Sequence, residues 1–476
     1  MPSISRPKSR AAAPVVSRCL LALLAGVPAA AYAQSAAPAV STLVAFSGSQ
    51  TYSTPVRGPD GALYGVTAAL NFITGGLIYR LAVDGSSIDT LHQMQVTDAF
   101  NPVSGLLLAS DGKLYGTTTL GAATQVNTAG TVYRLNTDGS NFLVLHRFQN
   151  FTTSNSIGGP INDDGANPEA ELVEGSDGYL YGVARTGGPN GNGTVFKMSK
   201  DGSSFIVLHA FGATTSAVTV TPSTNADGIG PLGPLVPAAD NYFYGTAARG
   251  GTTGSGTIFR VRFDGTGFEV LRTFPALTPS TTTTPATNVD GAAPLAGLTD
   301  GQDGRLYGVA SVGGSIGNGT IYAFDPVGRV FSVLHNFDGN KGSQPSGELL
   351  LAQDGKLYGT TSTGGTSANG TPTLYGTIFS IARDGTGFTS IFSFGGNDGA
   401  NPTGRLLQLN ATTFVGITQV GGRCSQGTVY QLSLTGAETK GITNCGRKKD
   451  SGGGGVAPAL LLLLAVAGLA RRASAR

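Results

Sequence analysis

Apolar and polar residues alternate along this chain in short runs of four to seven, separated by clusters of Gly, Asp, Asn and Ser. Alternation with period two, rich in β-branched and aromatic residues, predicts half-buried strands and no long amphipathic helix. One stretch shows the unit: strands are expected over 106–109, 113–118, 131–136 and 142–148. Asp-Gly begins at 60, 111, 177, 303 and 354 between the first two strands of a unit, and at 84, 138, 201, 264 and 384 between the last two. That dipeptide between two such runs signals a tight hairpin, because it accepts the positive φ of the favoured turn.

The unit repeats. Leu-Tyr-Gly occurs at 63–65, 114–116, 180–182, 306–308 and 357–359, with Phe-Tyr-Gly at 243–245 and Phe-Val-Gly at 414–416. Successive glycines lie 51, 66, 63, 63, 51 and 57 residues apart, a period near 58 with variable loops. A second signature, Gly-Thr-Val-Tyr and its variants, also occurs seven times, from Gly76 to Gly427. A third, Val-Leu-His-x-Phe, occurs six times after its unit, and its seventh copy is residues 42–46, ahead of the first Leu-Tyr-Gly. Repetition at this scale marks a propeller or solenoid. The displaced copy selects the first: an all-β, seven-bladed β-propeller with four-stranded blades, closed by residues 42–46 in the last blade, so that no sheet edge stays open. Residues 438–443 compete for that closing place.

The combination Leu-Tyr-Gly-Thr, Gly-Thr-Val-Phe, Asp-Gly-Ser and Val-Leu-His-x-Phe resembles the GloVer tandem repeat of bacterial surface proteins over roughly 42–434. The resemblance implies export and surface display and brings no catalytic residues with it. Departures are Arg272 and Phe392 in the histidine column and Val415 in the tyrosine column.

Composition agrees with many strands and turns: 73 of 476 residues are Gly, 12% are charged and Trp is absent. The two ends read differently from the middle. Arg6, Lys8, Arg10 and Arg18 precede an apolar run and an Ala31-Tyr32-Ala33 site, as in a secretory signal cleaved after Ala33. Arg18 directly before Cys19 argues against a lipoprotein. After a short linker over 34–41 and the propeller over 42–445 comes a Gly-rich linker, 446–455, and then 456–476, whose apolar run of 15 residues (456–470) is short for a permanent span and ends in Arg471 and Arg472. With Gly452 and Gly453 as the place of cutting, this tail is similar to the GlyGly C-terminal sorting signals of Gram-negative bacteria, which a rhomboid-type protease, rhombosortase, is thought to process. The partners implied are signal peptidase and that protease, with transient inner-membrane contact through 456–470; the retained alternative is a weak anchor. Without its ends the chain carries 20 Lys and Arg against 27 Asp and Glu over 34–446, which argues against nucleic acid as a partner. Cys424 and Cys445 remain and are expected to pair in an oxidising compartment.

Candidate chemistry is sparse. In a meander the long connections (119–129, 149–167, 212–230, 275–293 and 366–375) share one face, the expected binding surface. The innermost strands should line an axial channel, and where other copies have Gly or Pro stand Glu171, Glu348 and Arg405, with Glu174 and Asp300 three positions further on. Charges converging on a channel mouth suit a polar ligand or cation, and paired carboxylates suit acid/base work. Asn-x-Asp-Gly at Asp164, Asp227 and Asp290, with Asp398 as a variant, offers oxygen ligands for Ca²⁺ but lacks the bidentate Glu of an EF-hand; Asx-turns explain the same residues without metal, and no cofactor is expected. The four histidines fall in one column of different blades, where packing is their expected role. The function expected is a non-catalytic, exported module binding an extracellular glycan or protein, with an extracellular hydrolase or lyase using the channel carboxylates as the alternative.

Overall fold

The computed structural model describes residues 36–69, 75–95, 99–121, 129–154, 160–215, 223–281, 285–367, 369–437, 439, 441 and 442. Over residues 37–442 it is a seven-bladed propeller, all-β among the described residues, each blade an antiparallel meander running from the axis outward. Blade 2 is typical, with strands Leu107–Leu108, Lys113–Thr118, Thr131–Asn136 and Leu143–Arg147 in that order from the axis. The two middle strands coincide with the expected spans, and the inner and outer ones are shorter at their ends.

Two of the signatures are one cross-strand unit. Gly116 of Leu-Tyr-Gly pairs with Tyr133 of Gly-Thr-Val-Tyr, and the fully buried Tyr133 ring lies over it, so that a methyl group there would collide with the ring. Six further pairs, from Gly65 with Tyr79 to Gly416 with Tyr430, repeat the register. The tyrosine of Leu-Tyr-Gly reaches the Asp of the preceding turn. Tyr64, Tyr115, Tyr181, Tyr244, Tyr307 and Tyr358 donate to Asp60, Asp111, Asp177, Asp240, Asp303 and Asp354 at 2.7–2.9 Å. In blade 7 both members change together, to Val415 and Ala411.

Closure follows the displaced signature. Ala39–Ala45 is the outermost strand of blade 7, antiparallel to Thr428–Ser433 in a register running from Ala39 opposite Ser433 to Ala45 opposite Thr428. It thus begins three residues before the expected span and stops one short of its end. Its register slips between Thr42 and Val44, around Leu43, and every other outer strand slips at the equivalent Leu or Ile, as at Leu145 and Leu208. The slip is used at the blade interface: Leu145 lies against Gly202 in the third-to-fourth-strand turn of the next blade, where φ is +80° and a Cβ would come within 2.9 Å of the Leu145 carbonyl oxygen. Leu43 meets Gly85 of blade 1 in the same way, which joins the two ends of the ring. Residues 441 and 442 do not displace this strand but lie on its far side: Ile442 donates to the Leu43 carbonyl at 2.8 Å and bridges Val44 in parallel.

Candidate functional site

The inner strands surround an axial cavity of about 1190 Å³, lined by the starts of those strands and by ends of the long connections, among them Asn101, Asn167, Arg185 and Asn401. It therefore opens on the face where the chain is most variable. Glu171, Glu348 and Arg405 all line it. They occupy equivalent positions in blades 3, 6 and 7, and the fold turns this one column toward the axis. Arg405 reaches Glu348 through a single Nη1–Oε1 contact of 3.4 Å and stays half exposed. Glu171 makes no hydrogen bond or ion pair with the described residues and stays half-buried at the cavity wall. Burial pushes the Glu171 carboxyl up to about 7, opposed by the charge of Arg405 and reinforced by that of Glu348. Burial likewise raises Glu348, and the Glu348 charge holds the Arg405 guanidinium in its cationic form.

Glu174 and Asp300, expected beside these three, stand at the other end of the inner strands, next to the Asp-Gly turns. Three residues of strand carry the chain across the ring, so the proposed group of five divides. Glu174 accepts the Ser110 amide at 2.7 Å and its hydroxyl at 2.6 Å, and pairs with Lys200, clipping blade 3 to blade 2. Gln408 accepts the Gln353 amide at 3.0 Å in the same place between blades 7 and 6. Asp300 is exposed and accepts the Gln302 amide at 2.8 Å.

The Asn-x-Asp-Gly segments form clasps. Asn162 Oδ1 accepts the amides of Gly165 and, across the blade, Gly188, while its Nδ2 donates to the carbonyls of Gln149 and Gly165; Asn225 and Asn288 do the same. Asp164 accepts from the Gln149 amide at 3.0 Å and from His146 Nε2 at 3.0 Å, and Asp227 accepts from Gly212 and from His209 in the same way. The carboxylates offered for Ca²⁺ at these positions are thus engaged by protein donors, and among the described residues no three His, Cys, Asp or Glu converge as a metal site. Arg272, the departure in the histidine column, pairs with Asp290. The histidines and the arginine of the column also stack on an aromatic ring of the next blade: His92 on Phe142 at 3.8 Å, His146 on Phe205 at 3.7 Å, His209 on Phe268 at 3.4 Å, His335 on Phe388 at 3.6 Å, and Arg272 over Phe331 at 4.7 Å. Where Phe392 takes the column, Asp398 accepts the Gly395 amide instead, and burial raises its carboxyl. The pairing had a signal in the sequence, a constant separation of 18 residues between His146, His209 or Arg272 and its Asp.

Sequence reasoning missed a group of hydroxyls. Ser53, Thr54, Ser346 and Thr403 line the axial cavity, but their side-chain oxygens are buried away from it and have no hydrogen-bond partner among the described residues. Thr403 lies in the inner strand Ala400–Asn410 of blade 7, and Ser53, Thr54 and Ser346 lie in the innermost segments of blades 1 and 6, between short strands. Cys424 is disulfide-bonded. Its expected partner Cys445, and the processing positions Ala33, Gly452 and Gly453, lie outside the described residues.

The model of the Gloeobacter/Verrucomicrobia repeat matches four overlapping stretches, 31–223, 150–289, 213–372 and 275–457. No curated protein matches the chain. Among solved structures, a GH74 enzyme from Niastella koreensis is 13% identical with a TM-score of 0.51, over 82% of this chain and 53% of that one. An oligogalacturonate lyase from Vibrio parahaemolyticus is 12% identical, with a TM-score of 0.48 over 83% and 93%. The extracellular domain of a putative one component system from B. thetaiotaomicron is 11% identical, with a TM-score of 0.48 over 83% and 40%. Likeness at this level of identity shows the fold alone.

Proposed function

We propose that this chain, which belongs to the Gloeobacter/Verrucomicrobia repeat family, is an exported, surface-displayed or secreted propeller that binds a glycan at the mouth of its axial channel without transforming it. The observation that carries the reading is the contrast between the two sets of polar groups. The tyrosines of Leu-Tyr-Gly, His146, His209, the Asn of the clasps and most Asp side chains of the repeat are tied to protein partners across strands and blades, whereas Glu171, Glu348 and Arg405 line an open cavity of about 1190 Å³. A concave site of small and apolar residues with a few convergent polar groups is where ligands bind. Export rests on the signal-like first 33 residues, with signal peptidase as the partner. Display or release rests on the tail after Gly452 and Gly453, as substrate of a rhombosortase-like protease in a Gram-negative cell.

One observation favours the second reading, an extracellular hydrolase or lyase: a carboxyl held near 7 beside another carboxylate suits general acid/base catalysis. The mature protein on a glycan array, with polysaccharide turnover measured in parallel, separates the two. Binding without turnover supports the module; turnover abolished by Glu171→Gln with Glu348→Gln would replace it with the enzyme.

A further inference from the structure

We propose that the chain after the last blade straps the N-terminal closing strand into place, fastened by a disulfide between Cys424 and Cys445, so that the ring is locked at its seam only in an oxidising compartment. The proposal rests on blade 7 and stands apart from the glycan reading.

The closing strand differs from every other outer strand in its connection. Elsewhere a short turn joins the third strand to the fourth, as between Thr131–Asn136 and Leu143–Arg147, and returns the outer strand whenever it lifts. Ala39–Ala45 has no such turn to Thr428–Ser433, and cleavage after Ala33 would leave only residues 34–38 ahead of it. Chain ends fray unless they are tied down. Here the tie comes from the opposite side of the strand. The Thr439 amide donates to Ser41 Oγ at 3.1 Å and the Ile442 amide to the Leu43 carbonyl at 2.8 Å. Gly441 lies so close that a side chain there would collide with the carbonyl oxygens of Thr42 and Leu43. Ala39–Ala45 is therefore held between Thr428–Ser433 and this returning segment.

The fastening has a counterpart in other blades. The loops between second and third strands in blades 3, 4 and 7 share a parallel bridge, Gly187 with Asn192, Gly250 with Ser255 and Gly421 with Gln426, which aligns Asn190, Thr253 and Cys424. Asn190 and Thr253 donate to the carbonyls of Phe211 and Phe274 that end their outer strands, at 3.0 and 2.5 Å. Cys424 keeps the place, with Sγ 3.8 Å from the Ala45 carbonyl oxygen, but is disulfide-bonded. Direction identifies its partner. Ile442 bridges Val44 in parallel, so the chain beyond it heads toward Ala45 and Cys424. Cys445 follows three residues later, a reach of about 10 Å. The remaining cysteine, Cys19, belongs to the signal-like segment. Fastening turns two thiols into a disulfide, and their two electrons and two protons pass to a disulfide-donating oxidoreductase, whose own disulfide becomes a dithiol. A reducing cytoplasm keeps the strap unfastened.

The test is hydrogen exchange of the mature protein, read by mass spectrometry over 39–46 and, for comparison, over 205–211 in blade 3. Digestion without reductant should yield one cross-linked pair of peptides carrying Cys424 and Cys445. Dithiothreitol, which takes up the disulfide by becoming a cyclic disulfide itself, should speed exchange over 39–46 by about 10-fold or more and leave 205–211 unchanged. Cys445→Ser should reproduce that pattern, and dithiothreitol should add nothing to it. Gly441→Val, which drives the strap off Thr42 and Leu43 while the disulfide is retained, should speed the same amides. Free thiols at both cysteines would overturn the fastening. Unchanged exchange over 39–46 in the reduced protein, or an equal rise in all outer strands, would overturn the lock at the seam, and unchanged exchange in Gly441→Val would overturn the strap.

Discussion

Replacing Leu43 by Ala tests how the ring is closed. Leu43 sits at the register slip of the outermost strand of blade 7, fully buried in a cluster with Leu63, Tyr79, Val415 and Val429, and so joins residues from both ends of the sequence. Truncating a buried Leu removes its transfer free energy and leaves a cavity, about 2–5 kcal/mol together. The upper part of that range applies, because Gly85 on one side and residues 441 and 442 on the other are held by backbone contacts and cannot collapse into the space. The assay is chemical unfolding of the mature protein, with Leu334→Ala, the equivalent of Leu43 in blade 5, as the internal standard. Leu334 is half-buried, so Leu43→Ala should cost at least as much. A loss below about 0.5 kcal/mol for Leu43→Ala, beside a normal loss for Leu334→Ala, would mean that the N-terminal strand decorates an already stable array, and the closure argument would fail.

Three further outcomes follow from the side chains described. The Glu171 carboxyl is raised in the folded state, so its ionisation leaves stability intact below pH ~4 and lowers it as pH rises through about 7; Glu171→Gln should stabilise the protein by roughly 1–2 kcal/mol at pH 8.5, after allowance for solvent screening, and by nothing measurable at pH 4 in thermal melts. Arg272→Met strands the buried Asp290 and should cost about 1–3 kcal/mol in chemical unfolding, whereas Arg272→His rebuilds the pair of the neighbouring blades and should recover most of it. Because His146, His209 and backbone amides already hold Asp164 and Asp227, EDTA should leave the melting midpoint unchanged; a clear fall would restore Ca²⁺ as a ligand of those loops.

Most of the ring could be read from the chain, because each repeated motif states a local requirement. Asp-Gly sets a turn, the Gly of Leu-Tyr-Gly makes room for an aromatic ring, and the copy of Val-Leu-His-x-Phe out of place at residues 42–46 marks the joint. Glu171, Glu348 and Arg405 were legible for the same reason, as departures in an aligned column. Glu174 and Asp300 were misplaced because alignment gives the position along an inner strand but not the distance across the ring, and three residues of strand suffice to change faces. The orphaned hydroxyls left no sequence signal, because Ser and Thr are common throughout and only the folded structure shows which of them lack partners. The pairing of Arg272 with Asp290 hid in a spacing, since an Arg in a histidine column reads as a break until its partner 18 residues on is seen to be shared.

The channel mouth as the binding site is tested most directly by titrating the strongest glycan from the array into three proteins: wild type, the double variant Glu171→Gln with Glu348→Gln, and Asp300→Asn, which removes a charge at the opposite end of an inner strand. Loss of at least 10-fold in affinity in the double variant alone, with Asp300→Asn matching wild type, is the expected result. Unchanged affinity in the double variant would place the ligand elsewhere on the ring and contradict the account.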